Sequence, residues 1–484
     1  MTLAEDEKVE RIEAKKAENF SEWYTQVLIR TGFVDYSDVS GCIVFKPPSY
    51  FAWQTIMNAV DAEFKEVGIE DTYFPLLIPE KLLAKESEHF EGFIPEVAWV
   101  TETGKTKLDE KLAIRPTSET IMYRSFSKWI RSWRDLPLRY NQWNNVLRWE
   151  FKHPTPLIRS REFLWNEGHS VFATEEEAIA ERDQVIGIYL KVLKEYFAIP
   201  GIVGRKSDNE KFAGAVASYS VEHVMPDGWA LQGPDHHYDG KNFSEAFDIK
   251  FLDKEGKMVY AYQNTFAISS RELAVLVATH GDDRGLVMPP KLAYVQIVIV
   301  PIYKKDNQER VNEFAKKVYE QLKKHFRVKL DDRDGYSPGY KYNEWEMKGV
   351  PVRLEIGEKD IANDSVMSVR RDNGEKRPVK AAEVEHEMRS MMTAIHNDLY
   401  KKASEFLKSH VHRVHTYDEF KSTLEEKKGI ITAPWCEGRE CEVKIKEETG
   451  AKITNIPVEQ GKFADKCVYC GNKATCEANF AKSY

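Results

Sequence analysis

Residues 140–170, YNQWNNVLRWEFKHPTPLIRSREFLWNEGHS, constrain this chain more than any other stretch. Along Val146-Leu147-Arg148-Trp149-Glu150-Phe151 the side chains alternate, Arg148 and Glu150 on one face and Leu147, Trp149 and Phe151 on the other. That period of two predicts a strand. His153-Pro154-Thr155-Pro156 breaks it, because proline has no amide donor and fixes φ. A second strand returns with Phe163, Trp165, Glu167 and His169 on one face, and Arg159 and Arg161 stand at the return of the loop. Two readings are open on these residues alone. Arginines and a glutamate aimed into one space suit a polyphosphate, since guanidinium grips phosphate with a planar fork and a carboxylate can hold a magnesium ion or an amine. A surface hairpin laced with salt bridges has the same pattern.

The remaining chain frames that hairpin. Residues 5–30 predict an amphipathic helix (Val9, Ile12, Phe20, Trp23, Val27), with Glu5, Asp6 and Glu7 at its positive end. Residues 41–45, including Cys42 as a small buried hydrophobe, predict a short strand. Pro47-Pro48-Ser49 opens a long helix with Ser49 as its N-cap and Gly68 as its stop, followed by a strand over 72–78 with Pro75 at an edge. Arg115-Pro116-Thr117-Ser118-Glu119-Thr120 precedes another helix with Thr117 as N-cap, and Thr174 with Glu177 predicts a capping box at the next. Leu231 to His237 predicts a strand ending in a turn, and Val259 to Ile268 another strand. Ser269 and Glu272 predict a capping box whose first turn holds Arg271, a cation set against the helix dipole and therefore a candidate ligand group.

Past Pro290 the texture changes. The apolar run Val295–Val300 predicts a buried parallel strand, and the alternating elements to residue 356 predict an α/β unit. Five of the six cysteines follow residue 435. Cys436-x4-Cys441 and Cys467-x2-Cys470 have spacings suited to tetrahedral Zn²⁺, with Cys476 left over as a free thiol. Adjacent His236 and His237 point to opposite strand faces, which disfavours a metal there. The totals predict a cytoplasmic chain with no membrane partner: no apolar run approaches the roughly 18 residues of a span, and residues 4–18 lack the apolar core of a signal peptide. A net charge of −8 confines any nucleic-acid contact to local patches.

Arg148-x-Glu150, a loop, then Arg159-x-x-x-Phe163-x-x-x-Glu167 resembles motif 2 of the class II aminoacyl-tRNA synthetases. REFLWNEGH at 161–169 and RPTSET at 115–120 are similar to the prolyl-tRNA synthetases in particular, and the cysteine spacing to their archaeal and eukaryotic-like branch. The helix and proline-bearing strand after Pro47 resemble motif 1, which implies a homodimer, and the segment ending in Arg271 resembles motif 3. No GxxxxGK[ST] loop and no HIGH or KMSKS signature occurs.

The resemblance implies an α+β fold. A class II catalytic domain (1–288), an antiparallel sheet flanked by helices, precedes an α/β anticodon-binding domain (289–400) and a small α/β zinc-binding C-terminal domain (401–484). It implies attachment of L-proline to tRNA(Pro) at the expense of ATP with Mg²⁺, through a prolyl-adenylate. Arg148, Glu150 and Arg271 would be catalytic. Thr117, Glu119, Arg148, Trp165, Glu167, His169, Phe212 and His237 would bind proline, and Arg148, Glu150, Arg159, Gln232, Ser269 and Arg271 would bind ATP. Glu346, Arg353 and Lys376 would read the anticodon, and Cys436, Cys441, Cys467 and Cys470 would hold structural Zn²⁺. The chain departs from the family with Gly-Pro-Asp-His between Gln232 and His237, and with Ala267 where glycine is usual. The interval between motifs 2 and 3 leaves no room for a large editing domain. A tRNA-binding paralogue without activity, or an enzyme for threonine, serine, glycine or histidine, are the competing readings.

Overall fold

The computed structural model describes residues 11–87, 96–150, 152–461 and 463–484. Its centre is one long sheet. Ile202–Arg205, Ala217–Val224, Ala230–Gly240, Tyr262–Ala267, Glu162–Phe172 and Leu138–Leu147 pair in that order, each antiparallel to its neighbour. Alternation explains its two faces. Leu164, Asn166 and Phe266 turn toward helices Pro47–Glu66, Glu175–Val192 and Arg271–His280, over a core that includes Trp53, Phe64, Tyr189 and Leu273. Trp165, Glu167, His169 and Thr265 turn the other way, toward the site. Helices Glu119–Trp129 and Asn242–Phe247 close that side through Tyr123, Phe126 and Phe243.

The sheet does not stop at Ile202–Arg205. Lys452–Pro457 pairs with Ile202–Arg205, followed by Cys476–Ala481, Ile430–Trp435 and Val411–Arg413, and with Glu70–Asp71 parallel to Leu138–Leu147 at the other edge the sheet has eleven strands. A separate five-stranded sheet, Val328–Leu330, Ile297–Pro301, Val352–Ile356, Ser365–Arg370 and Lys376–Lys380, has its first three strands parallel and its last two antiparallel. Helices Gln308–Leu322 and Val384–Ser409 pack over it. Among the described residues no helix is long and apolar enough to cross a membrane.

Several local expectations fail for identifiable reasons. The first helix is Phe20–Arg30: Asn19 caps it by accepting from the Glu22 amide, while Lys16 is bonded by its own amide to Asp283, so 11–19 packs as an irregular segment. Glu5, Asp6, Glu7 and Val9 lie outside the described residues. Ser49 sits inside the helix, which starts at Pro47. Pro75 separates Glu70–Asp71 from Leu77–Pro79, which join different sheets. Cys42 is half-buried rather than buried. The hairpin's first strand ends at Leu147: the Arg148 amide still reaches the Arg161 carbonyl, the next position in register, but the amides of Leu147 and Trp149 bond the Arg115 and Glu96 carbonyls off the ladder; Phe151 is outside the described residues. Ala230–Gly240 runs straight through the expected turn, and Val259 to Ile268 splits into Met258–Tyr260 and Tyr262–Ala267. The Thr174–Glu177 capping box forms as expected. That of Ser269 and Glu272 does not, since Glu272 is buried against His223, 3.3 Å away.

Candidate functional site

Two cavities open on the polar face of the sheet, of about 250 and 140 Å³. Arg148, Trp165, Gln232, Asp235 and Ala267 line both, so the two are compartments of one site.

The larger compartment is built from the RPTSET loop and the returning strand of the hairpin. Arg115 fixes the loop: it is buried, and its guanidinium donates to the carbonyls of Asn145 and Phe74 at 3.0 and 2.9 Å. Helix Glu119–Trp129 then starts with Ser118, not Thr117, at its N-cap position. Thr117 is thereby released from capping, and its hydroxyl bonds Glu119 and faces Glu167 at 3.4 Å. Glu167 accepts from the Ser118 amide (2.7 Å), the Ser118 hydroxyl (2.9 Å) and Asn144 Nδ2 (2.7 Å). His169 lies 3.5 Å from Glu167 and is steadied by the Tyr123 hydroxyl.

The two carboxylates are tuned apart. Burial raises Glu119 above the usual range. Burial also opposes ionisation of Glu167, but the bond and charge of His169, with the bonds from Asn144 and Ser118, bring it below that range. Gly168 between Glu167 and His169 is obligatory in this packing, since a Cβ there would lie 1.8 Å from the Phe266 ring.

Opposite stand Phe212 and His237, their rings stacked at 4.7 Å, with His237 Nδ1 2.8 Å from Ser218 Oγ. Of the two adjacent histidines, His237 lines the cavity, while His236 is buried on the other face against Phe266. Trp165 donates to Asn144 Oδ1 at 2.8 Å, and the Arg148 guanidinium lies 5.0 Å over its ring. The compartment thus offers carboxylates and a threonine hydroxyl at one end, rings along the walls and one guanidinium at the exit. That is a complement to a small zwitterion with an apolar body.

The smaller compartment holds Arg148, Glu150, Gln232, Ser269 and Arg271. Arg271 opens its helix and is held by the Ile158 and Gln232 carbonyls at 3.1 and 3.3 Å. Burial, then the charges of Arg148 and Arg159, push its pKa down, so an anion there would relieve a concentration of like charge. Arg159 is exposed on the adjoining loop and not in the lining, but its charge reaches Arg271. Gln232 Nε2 donates to Asp235 at 2.9 Å, and Asp235 Oδ2 lies 3.7 Å from His237 Nε2.

Pattern alone missed several residues of the site. Ser118 and Asn144, which orient Glu167, are ordinary polar residues until the strands are in register; Lys206, Glu210, Ser218 and Thr265 also line the larger compartment.

Elsewhere, Arg353 and Lys376 converge on Glu355, at 2.9 and 3.3 Å, with Arg353 over the Tyr342 ring. Glu346 shares a small recess with Arg353 but is paired with Arg284. The sulfurs of Cys436, Cys441, Cys467 and Cys470 lie within 4.8 Å of one another, with Cys436 3.7 and 3.8 Å from Cys441 and Cys470. A tetrahedron with Zn–S bonds of ~2.3 Å has edges of ~3.8 Å, so four thiolates in this arrangement are compatible with zinc. His236, His237 and Asp235 form no such group.

Residues 99–280 match the tRNA synthetase class II core domain (G, H, P, S and T), 296–391 the anticodon binding domain, and 417–484 the prolyl-tRNA synthetase C-terminal domain. The chain is 47% identical over 485 residues to proline–tRNA ligase 2 of Clostridioides difficile (strain 630), all of both chains being covered. It is 46% identical over 484 residues to the proline–tRNA ligase of Alkaliphilus oremlandii (strain OhILAs), again over all of both. The crystal structure of Cryptosporidium parvum prolyl-tRNA synthetase complexed with halofuginone and AMPPNP superposes with a TM-score of 0.94 at 43% identity, covering 98% of this chain and 99% of that one. With relatives matched end to end and every part of the chain accounted for, this protein belongs to the prolyl-tRNA synthetases, a family of class II aminoacyl-tRNA synthetases.

Proposed function

We propose that this chain attaches L-proline to tRNA(Pro) in two steps. The proline carboxylate attacks the α-phosphorus of ATP, giving prolyl-adenylate and pyrophosphate. A hydroxyl of the terminal tRNA adenosine then attacks the prolyl carbonyl and releases AMP. The single observation that carries the reading is the shared wall: a carboxylate-lined, ring-walled pocket opens at Arg148 into an arginine-lined one. An amino acid in the first would present its carboxylate to a nucleotide in the second.

The residues take roles that follow from chemistry. Glu119, Glu167 and the Thr117 hydroxyl meet the secondary ammonium, while Trp165, His169, Phe212 and His237 wall the ring. Arg148 reaches the carboxylate and α-phosphate, and Arg271, with Arg159 from the loop, takes the outer phosphates and the adenine face. Gln232 and Ser269 hold the nucleotide. Glu150 is a carboxylate at the mouth of the nucleotide pocket that could accept a nucleotide-bound Mg²⁺, which would supply charge neutralisation of the phosphates. Little covalent work falls to the protein, so positioning and charge account for the rate. A small ring gives few polar handles, so alanine and cysteine should be rejected incompletely.

The further parts of the proposal are a catalytic domain over 1–288, an anticodon domain over 289–400 that reads bases with Glu346, Arg353 and Lys376, and a C-terminal domain over 401–484 whose four cysteines hold structural Zn²⁺. The helix Val384–Ser409 runs across the second boundary. We also propose a cytoplasmic homodimer without editing in cis; helix Glu175–Val192 and the strands from Ile202 to Gly240 fill the interval between the motifs.

Pyrophosphate exchange with each amino acid in turn is the test. Exchange should require proline and vanish in Arg148→Ala. Normal exchange in that variant, or strict dependence on another amino acid, would overturn the reading.

A further inference from the structure

The wall of the larger compartment includes a segment that no regular element supports. Residues 206–212 are turns, yet Lys206, Glu210 and Phe212 all line the cavity. Such a segment keeps its shape only through its tethers. On one side these come from the catalytic sheet: the Lys206 amide donates to the Ser218 carbonyl, and the Phe212 amide to Ser218 Oγ at 2.9 Å.

On the other side they come from the far end of the chain. Lys206 Nζ, buried, donates to Glu222 of the strand Ala217–Val224 at 2.7 Å and also to the distant Thr454 carbonyl at 2.8 Å. Glu210 is paired with Lys452 at 2.7 Å and Lys446 at 3.4 Å. In the middle, Glu442 accepts from Ser207 Oγ at 2.6 Å and from Asn209 Nδ2 at 2.7 Å. Glu442 is 4% exposed and follows Cys441 in helix Arg439–Thr449, the helix that carries one member of the cysteine cluster.

We infer that Glu442 is a positioning residue for the amino-acid pocket: from the C-terminal helix it fixes the 206–212 segment, and through it the seating of Phe212 against His237. The inference rests on the proposal that this pocket takes proline. A buried carboxylate with two side-chain donors is a strong, directional tether, and no other acceptor of comparable strength holds Ser207 and Asn209 among the described residues. Its loss frees the side chains of Ser207 and Asn209, while Glu210 stays paired with Lys452 and both ends stay pinned, by Ser218 and by the pairing of Lys452–Pro457 with Ile202–Arg205. The nucleotide compartment draws no residue from 206–212, so the effect should be confined to the amino acid.

Pyrophosphate-exchange kinetics on the full chain test this. In Glu442→Ala the KM for proline should rise roughly tenfold, the size expected for lost bonds to a charged group, with kcat and the KM for ATP within about twofold of wild type. Glu442→Gln, which keeps an acceptor for Ser207, should recover most of the proline KM. Ser207→Ala combined with Asn209→Ala removes the same bonds from the segment's side and should reproduce Glu442→Ala without touching the cysteine-bearing helix. Amide exchange across 206–212 should quicken in both. An unchanged proline KM in the loop-side double variant, or parallel losses in kcat and both KM values, would overturn the inference. A wild-type chain with no proline-dependent exchange would instead overturn the proposed substrate.

Discussion

Asp235 and Ala267 stand directly across from each other where Ala230–Gly240 pairs with Tyr262–Ala267, in the wall common to both compartments. The two departures expected from the sequence therefore meet at one structural locus. Ala267 lines both compartments, and removing its methyl should widen the passage between them. Ala267→Gly is expected to lower the KM for ATP by roughly tenfold, the low end of what one methyl is worth in a pocket, and to change the KM for proline less. Initial-rate kinetics with each substrate varied in turn will check it; a proline KM that moves equally would place the methyl elsewhere in the cycle.

The opposed shifts of Glu119 and Glu167 make proline binding acid-sensitive. An ammonium needs ionised partners, and burial raises Glu119 above its ordinary 4.5, so Glu119 takes up a proton while Glu167 stays charged. The KM for proline should climb as pH falls through that raised value, before ordinary carboxylates titrate. Glu119→Gln should start about 10- to 100-fold weaker, for a lost charged hydrogen bond, and show a flatter profile. The sign for stability is opposite: a carboxyl raised in the folded state binds its proton more tightly there, so this residue adds stability as pH falls and loses it as pH rises through the folded value. A KM rise caused by unfolding would move the other way.

How much of this could be seen in the residues depended on distance along the chain. The face Phe163, Trp165, Glu167, His169 was legible because a strand repeats every second residue. Thr117 and Glu119 stood out through the RPTSET wording, but as helix-start chemistry they pointed to capping, and the structure gives that place to Ser118. Asn144 acquires meaning only when it falls opposite Trp165 in the strand register. Glu272 looked like the end of a capping box; the buried His223, 49 residues earlier, offered a stronger partner. Lys206 and Glu442 had no local signal, because their partners come from the far end of the chain.

The four cysteines predict a metal-dependent C-terminal region. Zinc analysis should return about one ion per chain, and Cys467→Ser should lose it, because three thiolates leave a structural site open. Metal binding to the folded state is folding free energy, so chelation should lower the melting temperature by several degrees. Cys476→Ser is the control: this thiol is buried in the strand Cys476–Ala481 and outside the cluster, so zinc content should not change. Equal metal content in Cys467→Ser and wild type would remove the cluster from consideration.

His280 predicts how the catalytic region responds to acid. It closes helix Arg271–His280, is 6% exposed, and donates from Nε2 to the Phe197 carbonyl at 2.8 Å. Burial, with Lys16 nearby, pushes its pKa from 6.5 down to about 4, against the raising effect of that hydrogen bond. Between those values the unfolded chain takes up a proton that the folded chain refuses, so stability falls as pH falls across that window. The full difference is on the order of 3 kcal/mol for this one site. His280→Gln can keep a donor toward Phe197 but has no proton to gain. Urea unfolding at pH 7 and near pH 4.5 should show a smaller acid loss in the variant than in the wild type, by roughly 2 kcal/mol over that interval. Equal losses in the two proteins would mean that the imidazole reaches water before the helix end unfolds.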